Sequence, residues 1–356
     1  MQHNRILITG GAGFVGSSLA AAFMKQYPNC VVTAFDNLMR RGSELNLEYL
    51  KEHGVRFVHG DVRCCTDFDA LEPFDLLIDC SAEPSVSAGL DQGARGLVDI
   101  NFNGTVNCLE SARTHDAAVL FVSTSRVYPI ETLRKVYYTE GATRLIVDEK
   151  QDMLGVTERG ISERFSIEGP RSFYGTTKLA SEYLLQEYVY NFGMRGLINR
   201  CGILAGPRQM GRIDQGVITF WLANHIFERP LKYMGFGGTG KQVRDLLHVD
   251  DLFDLLVRQL ADADAWTGEV FNVGGGLEHS VSLLELTELA RAITGKEVVI
   301  TAQPDTHSVD IPVYLSDCEK AKAAFDWEPS RGVEPTLEEI ARWIEGDLSR
   351  LQQILG

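Results

Sequence analysis

Short apolar runs rich in β-branched residues recur through the first half of the chain, and stretches with helical spacing separate them. Residues 5–9, 31–35, 56–59, 76–80 and 119–123 read as strands, and residues 17–26, 44–53 and about 98–114 as helices. Turn chemistry at Gly54, Gly60 and Pro73 punctuates them. These strands are apolar throughout rather than alternating, so both faces are buried. That pattern predicts a doubly wound α/β fold with a parallel sheet covered by helices on each side.

Residues 131–170 break the rhythm. They are charged and poorly patterned, and too long for an ordinary connection, which marks a functional or mobile segment. A helix at 178–192 and a strand at 195–199 restore the alternation. From Gly202 onward glycine and proline become frequent, which suggests a smaller C-terminal α/β lobe with helices at 283–294 and 336–355.

A length of 356 residues with 44% hydrophobic positions can fill a sizeable core, and a net charge of −15 argues against binding nucleic acid or an anionic membrane. No apolar run approaches the roughly 18–20 residues that span a bilayer, and residues 1–8 lack the features of a secretory signal. The seven cysteines are dispersed and odd in number, without disulfide-framework or zinc spacing. A cytoplasmic protein with no metal site is expected.

The turn Thr9-Gly10-Gly11-Ala12-Gly13-Phe14-Val15-Gly16 follows the first strand and opens the first helix. Gly10, Gly13 and Gly16 allow the tight turn and the close approach of a pyrophosphate to backbone N–H groups, including those of Phe14 and Val15. Asp36 stands 20 residues beyond Gly16, where a carboxylate binds the ribose hydroxyls of NAD. Asn37 and Arg40 follow it, and Arg40 and Arg41 keep NADP in view. Asp61 and Val62, after the third strand, are candidates for the adenine edge.

Tyr174 and Lys178 are four residues apart, on one helical face, and an ammonium beside a phenol favours the phenolate needed for proton exchange. The run Ser123-Thr124-Ser125 ends a strand and offers a hydroxyl. Arg200 reads as a structural cation awaiting a carboxylate partner.

Together the glycine turn, Asp36, Tyr-x₃-Lys and the Ser-Thr segment resemble the extended short-chain dehydrogenase/reductase family of nucleotide-sugar-modifying enzymes, from about residue 5 to beyond 330. That resemblance implies a Rossmann-type domain over 1–200 with a return segment near 245–275. The substrate lobe would then comprise 201–244 and 276–356. It implies Thr124, Tyr174 and Lys178 as the catalytic set, with Ser81, Ala82, Asn101, Ser123 and Cys201 beside NAD. Glu83, Arg208, Gln209 and Arg244 fall to the nucleotide sugar, with Arg244 on its phosphates. The loop 36–42, the segment 123–128 and the run from Gly206-Pro207-Arg208-Gln209 to Gly216 are similar to the CDP-paratose 2-epimerases, also called CDP-tyvelose epimerases.

The implied reaction is epimerisation by transient hydride abstraction and return through a keto-sugar, at C2 of a CDP-sugar. A UDP-sugar 4-epimerase is the alternative. Related dehydratases carry Asp-Glu after the catalytic threonine, where this chain has Ser125-Arg126, so a dehydratase or decarboxylating reading is disfavoured. A non-catalytic NAD-binding regulator typically lacks the tyrosine or lysine retained here. By the same resemblance the protein is a homodimer or homotetramer.

Overall fold

The computed structural model describes residues 3–90, 93–212 and 215–355. Seven strands, β1 (Arg5–Thr9), β2 (Val31–Asp36), β3 (Arg56–His59), β4 (Leu76–Asp79), β5 (Ala118–Thr124), β6 (Gly196–Cys201) and β7 (Thr267–Val273), form one sheet in the order β7-β6-β5-β4-β1-β2-β3. The pairs from β6 to β3 are parallel, with Thr9 opposite both Phe35 and Asp79. The chain runs outward from β1 to β3 and then returns to place β4 on the other side of β1. That reversal puts the carboxyl ends of β1 and β4 where open α/β sheets take their ligands.

Helices α1 (Phe14–Gln26), α2 (Gly104–Thr114) and α3 (Phe173–Phe192) carry the site. Leu7, Leu77, Val119, Phe121 and Ile198 of the sheet pack with Cys108, Leu109 and Ala112 of α2 and Leu185 and Tyr188 of α3. These strand residues share one face of the sheet; Ile6, Ile8, Leu76, Ile78 and Leu120 on the other face are buried too, the double-sided burial that continuous apolar strands imply. α3 begins five residues before the expected start, so Tyr174 lies inside the helix. The expected helix at 98–114 is not uniform. A wide π-type turn, Asp99–Asn103, separates the helical turn Arg95–Val98 from α2. It brings Gly104 against Val62, where a Cβ would stand 2.7 Å from Val62 Cγ2.

The chain divides into two compact units. The first comprises Met1–Val127, Phe173–Cys201 and Leu252–Phe271, and the second Tyr128–Ser172, Gly202–Asp251 and Asn272–Gly356. This differs from the expected boundaries: Tyr128–Ser172 belong to the second unit, and the return segment is shorter than 245–275. The reason is a set of bonds within the second unit. The hairpin Tyr138–Glu140/Leu145–Val147 is tied there by the Leu145 N–H to the Lys241 carbonyl (2.9 Å). Arg144 reaches the carboxylate of Glu285. A second hairpin, Val156–Thr157/Gly160–Ile161, donates the Ile161 N–H to Leu315 O (2.8 Å). Gly160 is obligatory at that contact, because at φ +122° a Cβ would meet Leu315 O at 2.2 Å.

In the second unit the strand Val243–His248 pairs with Ile203–Ala205 and Val313–Tyr314 in parallel and with Ser280–Ser282 antiparallel. Helix Leu283–Thr294 starts at a reciprocal cap between Ser282 and Glu285. The expected helix at 336–355 is two helices, Val333–Gly346 and Leu348–Ile354, broken at Asp347. Among the described residues no helix is long and apolar enough to cross a membrane.

Candidate active site

After Thr9 the chain turns through Gly10 at φ +62°, where a Cβ would lie 2.7 Å from the carbonyl oxygen of Cys80. Gly13 caps α1 without a side chain, so the first-turn N–H groups, Phe14 and Val15 among them, face outward as an anion site. Gly16 is the tightest position: a Cβ there would sit 2.2 Å from Gly10 O.

Asp36 ends β2 and braces this turn. Its Oδ2 accepts the Ala12 N–H (3.0 Å) and its Oδ1 the Leu38 N–H (2.8 Å). Burial raises its carboxyl pKa, and the N–H groups of Leu38, Ala12 and Gly13 oppose the rise. Each oxygen keeps a further lone pair for a ribose hydroxyl. An uncapped helix start, a cradle that a methyl would fill and an acid at the β2 end fit a dinucleotide.

Asn37 donates to Asp61 Oδ2 (3.0 Å). Asp61 is gripped by Arg63, whose hydrogen bonds hold the carboxyl well below the usual carboxylate range. Val62 is buried, and its carbonyl accepts from Asn107 (2.7 Å). Arg40 is half-buried, and its carbonyl accepts from the backbone and hydroxyl of Ser43.

At the end of β4, buried Asp79 gathers the hydroxyls of Thr9 (2.7 Å), Ser81 (2.6 Å) and Thr105 (3.2 Å) and the Ser81 N–H (3.0 Å). Ser81 is therefore turned toward Asp79, with half-buried Ala82 after it. Buried Asn101 lies in the wide turn before α2. It accepts the Glu83 N–H (2.8 Å) and donates to Glu83 O and to Thr177 Oγ1 (3.2 Å each). Its amide thus fastens the loop after β4 to α3, while the Glu83 carboxylate accepts the Ser85 N–H (3.2 Å).

Thr124 ends β5, and its hydroxyl donates to the Tyr174 phenol. Burial pushes that phenol up to about 12, while Thr124 and the charge of Arg126 pull it back. Lys178 lies one turn along α3 from Tyr174 and is buried. Its Nζ lies 3.8 Å from the centroid of the Phe121 ring. Burial lowers its pKa, and Asp79 and Glu182 are the carboxylates that oppose this. Cys201, also buried, ends β6 and acts electrostatically on both Tyr174 and Lys178.

The Ser123 hydroxyl donates to Glu182 Oε1 at 2.5 Å, inside the fold. Glu182 is the carboxylate partner expected for Arg200, 2.7 Å away.

In the second unit, half-buried Arg244 donates to the carbonyls of Val243 (2.7 Å), Ile311 (2.6 Å) and Pro312 (3.3 Å). Gln209 is buried, with Nε2 donating to Leu204 O (2.9 Å) and Oε1 accepting from Thr219 (3.0 Å). Both ends of its amide are hydrogen-bonded within the second unit. Arg208, next to it, adopts φ +71°. Arg63, Asp79 and Glu182 carry no motif that singles them out, and their roles emerge only from proximity.

The model of the NAD dependent epimerase/dehydratase family matches residues 6–274. CDP-paratose 2-epimerase of Salmonella typhi is 31% identical over 347 residues, covering 95% of this chain and 98% of that protein. The structure of Pal from Bacillus thuringiensis aligns with a TM-score of 0.77 and 28% identity over 96% of this chain and 99% of that one. UDP-glucuronic acid 4-epimerase from Bacillus cereus, solved with UDP-glucuronic acid and NAD, aligns with the same TM-score at 24% identity over the same shares. With a Rossmann-like sheet, a glycine turn built for a pyrophosphate and this match across most of its length, the chain belongs to the NAD-dependent epimerase/dehydratase family, with NAD as its cofactor.

Proposed function

We propose that the protein is a nucleotide-sugar epimerase acting at C2 of a CDP-sugar. The observation that carries this reading is the run after Thr124. Thr124 and Tyr174 are hydrogen-bonded partners, and the next residues are Ser125-Arg126, not the acid–base pair that elimination requires. The 31% identity to a CDP-paratose 2-epimerase supports the choice of carbon and nucleotide.

Bound NAD would supply a reversible hydride acceptor for the sugar carbon, with no net oxidation of the sugar. The chain's own groups manage the proton and the oxygen. Tyr174 Oη takes the hydroxyl proton and later gives it back, and Thr124 hydrogen-bonds the same oxygen as its charge changes. Lys178 holds the nicotinamide ribose. The N–H groups of Phe14 and Val15 take the pyrophosphate and Asp36 the adenosine ribose. Arg208 and Arg244 are assigned to the phosphates of the nucleotide sugar, and Glu83 borders the sugar. The protein is further proposed to be a homodimer or homotetramer through α2 and α3, where Tyr183 and Tyr190 are exposed, a proposal that sedimentation tests.

The deciding experiment is a screen of CDP-, UDP-, GDP- and dTDP-sugars by NMR in deuterated buffer. Inversion at C2 of a CDP-sugar, without deuterium at that carbon and without NADH accumulation, is the expected result. Inversion at C4 of a UDP-sugar would replace the substrate assignment. Loss of water would overturn the epimerase reading, and bound NAD with no turnover would leave a regulator.

A further inference from the structure

Residues 307–312 of the second unit lie outside any strand or helix, between the strands Ile300–Gln303 and Val313–Tyr314. His307 and Ser308 are exposed, whereas Val309 and Ile311 are buried. A turn closes the first part of the segment, from the Asp310 N–H to His307 O (3.0 Å). Two arginines from distant parts of the chain then take its carbonyls in succession.

Arg134 caps the short helix Ile130–Leu133 in the unpatterned stretch. Its Nε donates to Asp310 O (2.9 Å), and its Nη2 to His307 O (2.9 Å) and Ser308 O (3.2 Å). The next two carbonyls belong to Arg244, which donates to Ile311 O (2.6 Å) and Pro312 O (3.3 Å). The Val243 N–H also bonds Pro312 O (3.0 Å), and Val243 pairs with Val313. Leu145, from a hairpin of the same stretch, packs with Val243 and Val313. The stretch at 131–170 therefore meets both ends of the segment that Arg244 grips.

A guanidinium is a planar fork, so it holds several carbonyls in one fixed arrangement. The carbonyls of Asp310 and Ile311 sit on consecutive rigid peptide units joined by two soft dihedrals. Fixing the first restricts the second, and the second helps to set the plane of Arg244. We infer that Arg134 is a positioning residue for the phosphates of the nucleotide sugar: it fixes the carbonyls of 307, 308 and 310, and through them the peptide units that orient the Arg244 guanidinium. The inference rests on the proposed assignment of Arg244 to those phosphates. It gives the stretch at 131–170 a role in the same site without contact to the ligand.

The test is the affinity of the NAD-loaded protein for CDP and for UDP, read by titration calorimetry. Arg134→Ala, Arg134→Lys, Arg244→Ala and the double alanine variant are compared with the unsubstituted protein. Arg134 is exposed, so alanine there leaves the core intact. Arg134→Ala should weaken the tighter of the two nucleotides about fivefold with the count of bound NAD unchanged. Lysine keeps the charge but cannot span the three carbonyls, and should recover little of the loss. In the Arg244→Ala background, Arg134→Ala should cost less than about twofold, because the group through which it acts is gone.

Equal losses in both backgrounds overturn the inference, since a general loosening of the unit acts with or without Arg244. Full recovery by lysine overturns it too, by leaving charge alone as the cause. Unchanged affinity in Arg134→Ala beside a weakened Arg244→Ala removes the role of Arg134 and keeps the phosphate assignment. Unchanged affinity in Arg244→Ala removes that assignment itself, and the inference with it.

Discussion

Arg200 grips Glu182 with two prongs inside the first unit. Its Nε lies 3.1 Å from both carboxylate oxygens and its Nη2 2.7 Å from one of them, with side-chain exposures of 6% and 2%. The Ser123 hydroxyl supplies a further donor, so a single carboxylate joins α3, β5 and β6. These are the elements that bear Tyr174 and Lys178, Thr124, and Cys201. Removing one partner strands a buried charge, which costs about 3–5 kcal/mol, whereas replacing both by apolar groups costs far less. Glu182→Leu should therefore lower the urea midpoint sharply, and Glu182→Leu combined with Arg200→Met should recover most of the loss. A double variant as unstable as the single one would remove the ion pair as the cause.

The glycine turn makes a graded prediction for NAD binding. An added Cβ meets Gly10 O at 2.2 Å from position 16 and at 3.1 Å from position 13, where φ is −68° and suits alanine. Backbone on both sides of the Gly16 contact leaves nothing flexible to yield. Gly16→Ala should weaken NAD binding by at least about tenfold, equal to roughly 1.4 kcal/mol, and Gly13→Ala distinctly less. Titration calorimetry reads the order, and equal effects would contradict the geometry.

Much of this architecture is legible from local pattern. The β1 turn, Asp36 and the Tyr174–Lys178 pair lie within short windows whose spacing has a physical meaning, and in the structure they stand at the start of α1, the end of β2 and the first turns of α3. What escapes is decided by contacts between distant segments. No spacing links Asp79 to Thr105, or Ser123 to Glu182, so the hydrogen bonds that join them are invisible in the sequence. The stretch at 131–170 is unpatterned because its strands are two or three residues long and are held by the second unit, through Lys241, Glu285 and Leu315, not by their own periodicity. The wide turn before α2 brings Gly104 against Val62, 42 positions away in the chain, a contact no local spacing announces.

Arg244 tests the phosphate assignment in the second unit. Its guanidinium already serves three carbonyls on two segments, which fixes its plane. A lysine presents a compact point charge that cannot hold that fork. Arg244→Ala should raise KM for the nucleotide sugar about tenfold or more with NAD occupancy unchanged, and Arg244→Lys should restore little of it. Steady-state kinetics beside a count of bound NAD distinguish this from a change in cofactor binding, which would misplace the residue.

The raised phenol of Tyr174 also predicts a pH dependence of stability. Its pKa moves from 10.0 in the free side chain to about 12 in the fold, with burial as the chief cause. Below pH 10 both the folded and the unfolded states carry the proton, so the group contributes no slope. Between those two values the unfolded chain releases a proton that the folded chain keeps. The unfolded state then binds fewer protons, and stability falls as pH rises. Other tyrosines and lysines titrate in the same window, so the informative quantity is the difference between the unsubstituted protein and Tyr174→Phe. Phenylalanine has no proton to release, and the variant should lose less stability from pH 9 to pH 12. Denaturant melts at a series of alkaline pH values measure the two curves. Parallel curves would mean that the Tyr174 phenol titrates in the fold as it does in the unfolded chain.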